Sequence, residues 1–301
     1  MKVFDLIIIG AGPAGITAAV YAARKKIDFL IVTGDIGGQA AWSGNVENYT
    51  GYQFISGPEL AQKFEEHMRQ YNIPVREGEE AIEVSKSGEI VLIKTNIAEY
   101  QARTVIIASG KRSKELDVSG EKEFKNHGLT YCATCDGPLF ANNDVAVIGG
   151  GNSALDAVMQ LIRIANKVYI INNSPSLGGD MVERQKIESA TNVTIMNNSK
   201  VTAVLGNKMV SSVKILENGK ELSLSVQGIF VEIGLIPNTG FIKDIDKNNR
   251  GEITINARNE TSIPGIFAAG DVTDVPEKQI IIAAGEGSKA SLSAFRYLSQ
   301  H

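Results

Sequence analysis

Two rhythms of apolar positions run along this chain. Residues 3–9 form an apolar run, interrupted at Asp5 and rich in β-branched side chains, which predicts a buried strand. Residues 15–23 continue with small residues suited to a helix packed closely on a sheet, and residues 29–32 give the next parallel strand. The same order returns later, with a strand over residues 145–148, a helical stretch over 152–164 and a strand over 168–171. The two stretches are far apart in the chain, so they predict two separate βαβ units. Residues 105–107, followed by Ala108-Ser109-Gly110, close the first unit, and residues 111–118 are polar enough for a linker. Residues 235–238 and the charged stretch 243–252 look like a second crossing. Residues 266–271 again end a strand in a Gly-Asp turn that matches the first unit. The first domain therefore reads as discontinuous, residues 1–112 and 246–301, with residues 113–245 inserted as a second domain. The fold class is α/β, with two Rossmann-like, three-layer nucleotide-binding domains. The linkers near 111–118 and 241–250 are the expected hinges between them.

Composition narrows the function classes. With 301 residues, 43% of them hydrophobic, the chain can bury a sizeable core. Its net charge of -4, from 30 basic and 34 acidic residues, gives no broad basic field for nucleic acid. Residues 6–23 carry no charge, yet Gly10, Gly12, Pro13 and Gly15 interrupt them, so a membrane span is not expected. Asp5 spoils a signal-peptide reading. Two cysteines three apart are not the disulfide framework of a secreted scaffold. A cytoplasmic protein is expected.

Three motifs carry chemistry. Gly10-Ala-Gly12-Pro13-Ala14-Gly15 fits G-x-G-x-x-G between strand and helix, a turn that meets a dinucleotide pyrophosphate with helix-terminal amides. The acidic residue expected on the ribose is not obvious, since Thr33 and Gly34 end the second strand. Gly38, Gln39 and Asn48 lie in polar loops able to line a cofactor or simply face solvent. Asp271 is more pointed, because a carboxylate after a buried strand can accept from ribityl or ribose hydroxyls. Gly149-Gly150-Gly151-Asn152-Ser153-Ala154 fits the G-x-G-x-x-A variant. At the position that separates NADP from NAD sites, however, stand Asn172-Asn173-Ser174, neither basic nor acidic. A scaffold that has lost its coenzyme stays open there. Between the two turns lies Cys132-Ala133-Thr134-Cys135-Asp136, a C-x-x-C pair able to exchange two electrons. Asp136 could serve it as acid or base. Half of a zinc site is the rival reading, but His67, His127 and His301 show no paired spacing, so no metal is expected.

These motifs closely resemble those of the low-molecular-weight thioredoxin reductases and of the flavoprotein subunit of alkyl hydroperoxide reductase. The resemblance runs along nearly the whole chain, through Gly37-Gly38-Gln39, Cys132 to Pro138, Ile236-Pro237-Asn238-Thr239 and Ala268-Ala269-Gly270-Asp271. Residues 137–140 and 278–287 look more like the peroxide-reductase flavoprotein. The resemblance implies FAD in the first domain, on Gly10, Gly12, Pro13, Ala14 and Gly15, on Gly38, Gln39 and Asn48, and on Gly110, Gly270, Asp271, Gln279 and Ile280. It implies a nicotinamide coenzyme, NADPH or NADH, on Gly149, Gly151, Asn152, Ser153 and Ala154. Cys135 would face the flavin, Cys132 would attack the substrate disulfide, and Asp136 would move the proton. The implied partners are thioredoxin or a glutaredoxin-like protein, within a homodimer. Some relatives take electrons from ferredoxin, and Asn172-Asn173-Ser174 leaves NADPH, NADH and ferredoxin all open. The peroxide-reductase flavoprotein carries an additional amino-terminal module. This sequence begins at the FAD strand, so a separate protein is expected to supply it if the chain serves a peroxiredoxin system. A flavin and dithiol sensor without turnover is the non-enzymatic alternative.

Overall fold

The computed structural model describes residues 2–42, 45–46 and 48–301, with the side chains of Trp42, Asn45, Thr134 and Cys135 outside the described set. The chain divides into two compact units, Met1–Arg112 with Ile236–His301, and Ser113–Leu235.

In the first unit the strand Val3–Ala11 lies between two parallel neighbours, Phe29–Ile36 and Glu99–Ile107. Leu6, Ile7 and Ile8 are wholly buried. Burial on both faces explains why residues 6–9 of this strand read as an unbroken apolar run. Val75–Glu77 extends the sheet beyond Phe29–Ile36. The strand Glu99–Ile107 forks: its first half pairs antiparallel with Ile90–Thr95 of a hairpin, and its last three residues pair parallel with Ile266–Ala268. One face is covered by the helices Pro13–Arg24 and Ile280–Gln300, whose Ala14, Ala18, Ala22, Ala283, Ala290 and Ala294 share one core. The other face gathers Ile7, Ile9, Val91 and Ile93 with Ile242, Ile245 and Ile253.

That last group moves the boundary. The sequence reading returns the chain to the first domain at residue 246 and makes 241–250 a hinge, whereas the second unit ends at Leu235. The charged stretch is punctuated by isoleucines that enter the first unit's core, each stabilising it by about 2 kcal/mol. Lys247 folds back to donate to the carbonyls of Thr239 and Ile242.

The second unit holds a parallel sheet in the order Leu129–Thr130, Gly228–Val231, Asp144–Ile148, Lys167–Ile171, Val193–Met196. The helix Asn152–Leu161 packs Ala154, Leu155, Val158 and Leu161 against it. A three-stranded antiparallel sheet, Ser199–Gly206, Val210–Glu217 and Lys220–Ser225, follows.

Candidate functional site

In the first unit Gly12 is the N-cap of Pro13–Arg24, and no side chain caps that helix. Its first amides are therefore left for an anion. The space beside Gly12 is open, whereas a Cβ on Gly15 would lie 1.9 Å from the Gly10 carbonyl oxygen. Only glycine lets the helix approach its own turn this closely. Gly270 lies against Ala14, and Gly38 against Gly12. Gln39, in the short helix Gly38–Trp42, donates from Nε2 to the Lys111 carbonyl at 3.1 Å. Asn48 Nδ2 donates to Gln279 Oε1 at 3.0 Å. Gln279 is in turn the N-cap of Ile280–Gln300, another helix start without a side-chain cap, with Ile280 in its first turn. Gly110 is left-handed, and Asn238 brackets it by donating from its amide to Gly110 O and from Nδ2 to Ser109 O. Burial pushes the Asp271 carboxyl up, an effect that Lys278 and Lys111 oppose. Two uncapped helix starts, an open glycine turn, paired amides and a carboxylate make a donor and acceptor set that fits a flavin dinucleotide.

Beside this set lies an ion cluster that the sequence does not announce. Glu252 is 1% exposed and meets Lys111 Nζ at 2.8 Å and Lys278 Nζ at 3.3 Å. Asn248 Nδ2 donates to it at 2.6 Å. Burial works against its charge, but the hydrogen bonds from Lys111 and Asn248 and the charge of Lys278 hold it down at about 2.

The second unit opens a cleft of about 760 Å³ lined by the second glycine turn, the end of Lys167–Ile171 and Glu232. Gly151 is the N-cap of Asn152–Leu161, again without a side-chain cap and with open space beside it. Gly149, Asn152 and Ser153 line the cleft and Ala154 is buried below it. Asn152 Oδ1 accepts from the Asp180 amide at 3.0 Å. Asn172 is 3% exposed and committed inward. Its Nδ2 donates to Ser174 O, Ser176 O and Asn197 Oδ1, and its Oδ1 accepts from the Ser174 amide. Asn172 thus spends its amide hydrogens on bracing the loop after its strand. Asn173 sits exposed on the rim, where Lys114 and Lys200 are the cations. Burial pushes Glu232 up to about 8, against the Ala133 amide that donates to it and with Asp156 adding repulsion.

The dithiol segment belongs to the same unit. Cys132 is disulfide-bonded, while the Cys135 side chain lies outside the described set. The four-residue helix Ala133–Asp136 carries the second cysteine, and the Asp136 amide donates to Cys132 O at 3.2 Å. Thr130 Oγ1 donates to Asp136 Oδ2 and accepts from the Cys132 amide at 3.2 Å. Tyr131 OH donates to Glu121 Oε1 at 2.6 Å, and that buried carboxylate also accepts the amides of Leu116 and Asp117. Burial, then Glu121, pushes the Tyr131 hydroxyl well above its ordinary range. His127 is exposed beside Lys125 O. Thr130, Glu121 and Glu232 carry no motif, so sequence reasoning had no signal for them. Among the described residues no group of three His, Cys, Asp or Glu could hold a metal ion, and no helix is long and apolar enough to cross a membrane.

Comparison with known proteins gives this geometry its relatives. The chain is 41% identical over 298 residues to a protein of Bacillus subtilis named NADH dehydrogenase, a match that covers 98% of this chain and 58% of that protein. It is 42% identical over 304 residues to the F component of alkyl hydroperoxide reductase from Pseudomonas putida, covering 99% and 58%. The chain thus spans less than two thirds of the length of these curated relatives. Among solved structures, a thioredoxin reductase of Lactococcus lactis superposes with a TM-score of 0.89 at 32% identity, covering 99% of this chain and all of that one. The family model described as pyridine nucleotide-disulphide oxidoreductase matches residues 4–287. Two Rossmann-like units, two open glycine turns and a C-x-x-C segment in the unit of the second turn accord with that match: the chain belongs to the pyridine nucleotide-disulphide oxidoreductase family.

Proposed function

We propose that the protein is an FAD-dependent disulfide reductase of the thioredoxin-reductase type, passing electron pairs from a donor to the Cys132/Cys135 dithiol and on to a thioredoxin-like protein disulfide. The observation that carries this reading is the bonded Cys132, with Asp136 held beside it by Thr130, in one unit with an open dinucleotide cleft. FAD, when bound, supplies the two-electron station between donor and dithiol. The helix-start amides after Gly12 would hold its pyrophosphate, Asp271 its hydroxyls, and Gln39, Asn48 and Gln279 its remaining polar edges. Within the dithiol the Cys132 thiolate attacks one sulfur of the substrate disulfide, and that bond breaks as the mixed disulfide forms. The Asp136 carboxyl gives its proton to the departing thiolate. Attack by the Cys135 thiolate on Cys132 then releases the second substrate sulfur. One dithiol is oxidised to a disulfide and one substrate disulfide is reduced, two electrons on each side.

The cleft favours a nicotinamide donor, NADH or NADPH, while the inward commitment of Asn172 keeps ferredoxin as a competing donor. A homodimer in the cytoplasm and a domain insertion over residues 113–235 complete the proposal. The alkyl hydroperoxide reductase relatives favour a second form of the same reading, in which a separate glutaredoxin-like protein hands the electrons to a peroxiredoxin. Cys132→Ser tests the route. Its flavin is expected to bleach near 450 nm with the productive donor while reduction of thioredoxin ceases. Undiminished thioredoxin reduction by that variant would refute the route, and a wild-type dithiol that never turns over would favour a sensor.

A further inference from the structure

The four-residue helix Ala133–Asp136 is too short to fix the direction of a side chain at its last position. The carboxylate of Asp136 is instead met by a hydroxyl from outside the helix. Thr130 lies on the strand Leu129–Thr130, is 6% exposed, and pairs with Phe230 of the neighbouring buried strand. A β-branched side chain on a paired strand is stiff about χ1. Its Oγ1 accepts the Cys132 amide at 3.2 Å, and its proton goes to Asp136 Oδ2. One atom therefore registers the backbone of the attacking cysteine against the carboxylate that serves it. The hydroxyl accepts from Cys132 through one lone pair and commits its single proton to Asp136.

We infer that Thr130 is a positioning residue for proton delivery by Asp136: its hydroxyl holds the carboxyl in register with Cys132 and supplies a ready donor for the charge left when the proton departs. The inference rests on the disulfide-reductase reading above. A preplaced donor at the site of developing charge needs no reorganisation during the step. A carboxyl out of register would deliver its proton poorly. The effect must then depend on the substrate. A disulfide whose leaving alkyl thiolate is basic needs that proton, whereas an aromatic disulfide with a stable leaving thiolate does not.

The test uses the flavin-loaded protein, reduced anaerobically with dithionite and mixed in single turnover with bis(2-hydroxyethyl) disulfide or with 5,5′-dithiobis(2-nitrobenzoic acid). Thr130→Val is expected to slow the alkyl disulfide about 10- to 100-fold, the size of one charge-assisted hydrogen bond. The aromatic disulfide is expected to change by no more than about threefold, since its leaving group needs no acid. Thr130→Ser should restore the alkyl rate. Asp136→Asn should show the same selectivity, and adding Thr130→Val to it should slow the reaction no further. Thr130→Ala, which relieves any crowding by the valine methyl, should repeat the Thr130→Val pattern if the latter folds poorly. Equal slowing of both disulfides, or a further loss on the Asp136→Asn background, would overturn the inference. Cys132→Ser reducing both disulfides at the wild-type rate would instead strike the disulfide-reductase reading, and the inference with it.

Discussion

Glu252→Gln should weaken the first unit alone, in a pH-dependent way. The substitution keeps the shape of the side chain and removes its charge from between Lys111 and Lys278. The carboxyl stands at about 2 in the folded protein against an ordinary 4.5, so its ionised form contributes about 3 kcal/mol to the native state at pH 7. The depressed value sets the sign: the contribution is complete above pH 4.5 and is lost as the pH falls towards 2. At pH 3 about 1 kcal/mol of it remains. Urea titrations at pH 7 and pH 3, read by pulse hydrogen exchange and mass spectrometry, give the stability peptide by peptide. Peptides of the strands Val3–Ala11 and Glu99–Ile107 should lose about 3 kcal/mol at pH 7 and about 1 kcal/mol at pH 3 relative to wild type. Peptides from Ser113–Leu235 should not move, and they serve as an internal control. A difference that stays constant between the two pH values, or an equal loss in both units, would show that the ion cluster is not the source.

Two further substitutions probe the first unit by other means. Gly15→Ala places a methyl 1.9 Å from the Gly10 carbonyl, so the helix must move off its turn; the purified variant should carry much less flavin, measured by its absorbance ratio at 450 and 280 nm. Ser56→Ala removes the hydroxyl that accepts the Glu59 amide and donates to the Glu59 carboxylate at the start of the helix Gly57–Arg69 and should cost about 1 kcal/mol in a denaturant titration, with the flavin content of the folded protein unchanged.

Much of the fold was legible because its central strands are buried on both faces. Residues 6–9 and 145–148 write that burial as unbroken apolar runs, and the glycine turns that follow have few other uses. Edges and returns were harder. The stretch 241–253 looks charged because its isoleucines are spaced among lysines and acids, and only the tertiary structure reveals that Ile242, Ile245 and Ile253 face one core. Glu252 looks like a solvated charge for the same reason: beside the neighbouring Arg250, its other two cations, Lys111 and Lys278, are far away in sequence. Asn172 illustrates a different limit. Its position at the end of a strand marks it for a ribose, yet the packing of the following loop consumes its amide. Residue type gave the chemistry available there, but not its direction.

The contact of Gly287 with the first glycine turn bears on how the chain is made. A Cβ at Gly287 would lie 2.0 Å from the Ala14 carbonyl oxygen, and the helix Ile280–Gln300 shares one core with Pro13–Arg24. On the ribosome the helix Pro13–Arg24 therefore emerges before Ile280–Gln300 and waits, its alanine face uncovered, while the whole of Ser113–Leu235 is synthesised. The inserted unit is continuous in sequence and can fold as soon as it clears the exit tunnel. The core around Pro13–Arg24 is thus among the last to be completed, and a nascent chain paused before residue 280 exposes an apolar helix face to chaperones.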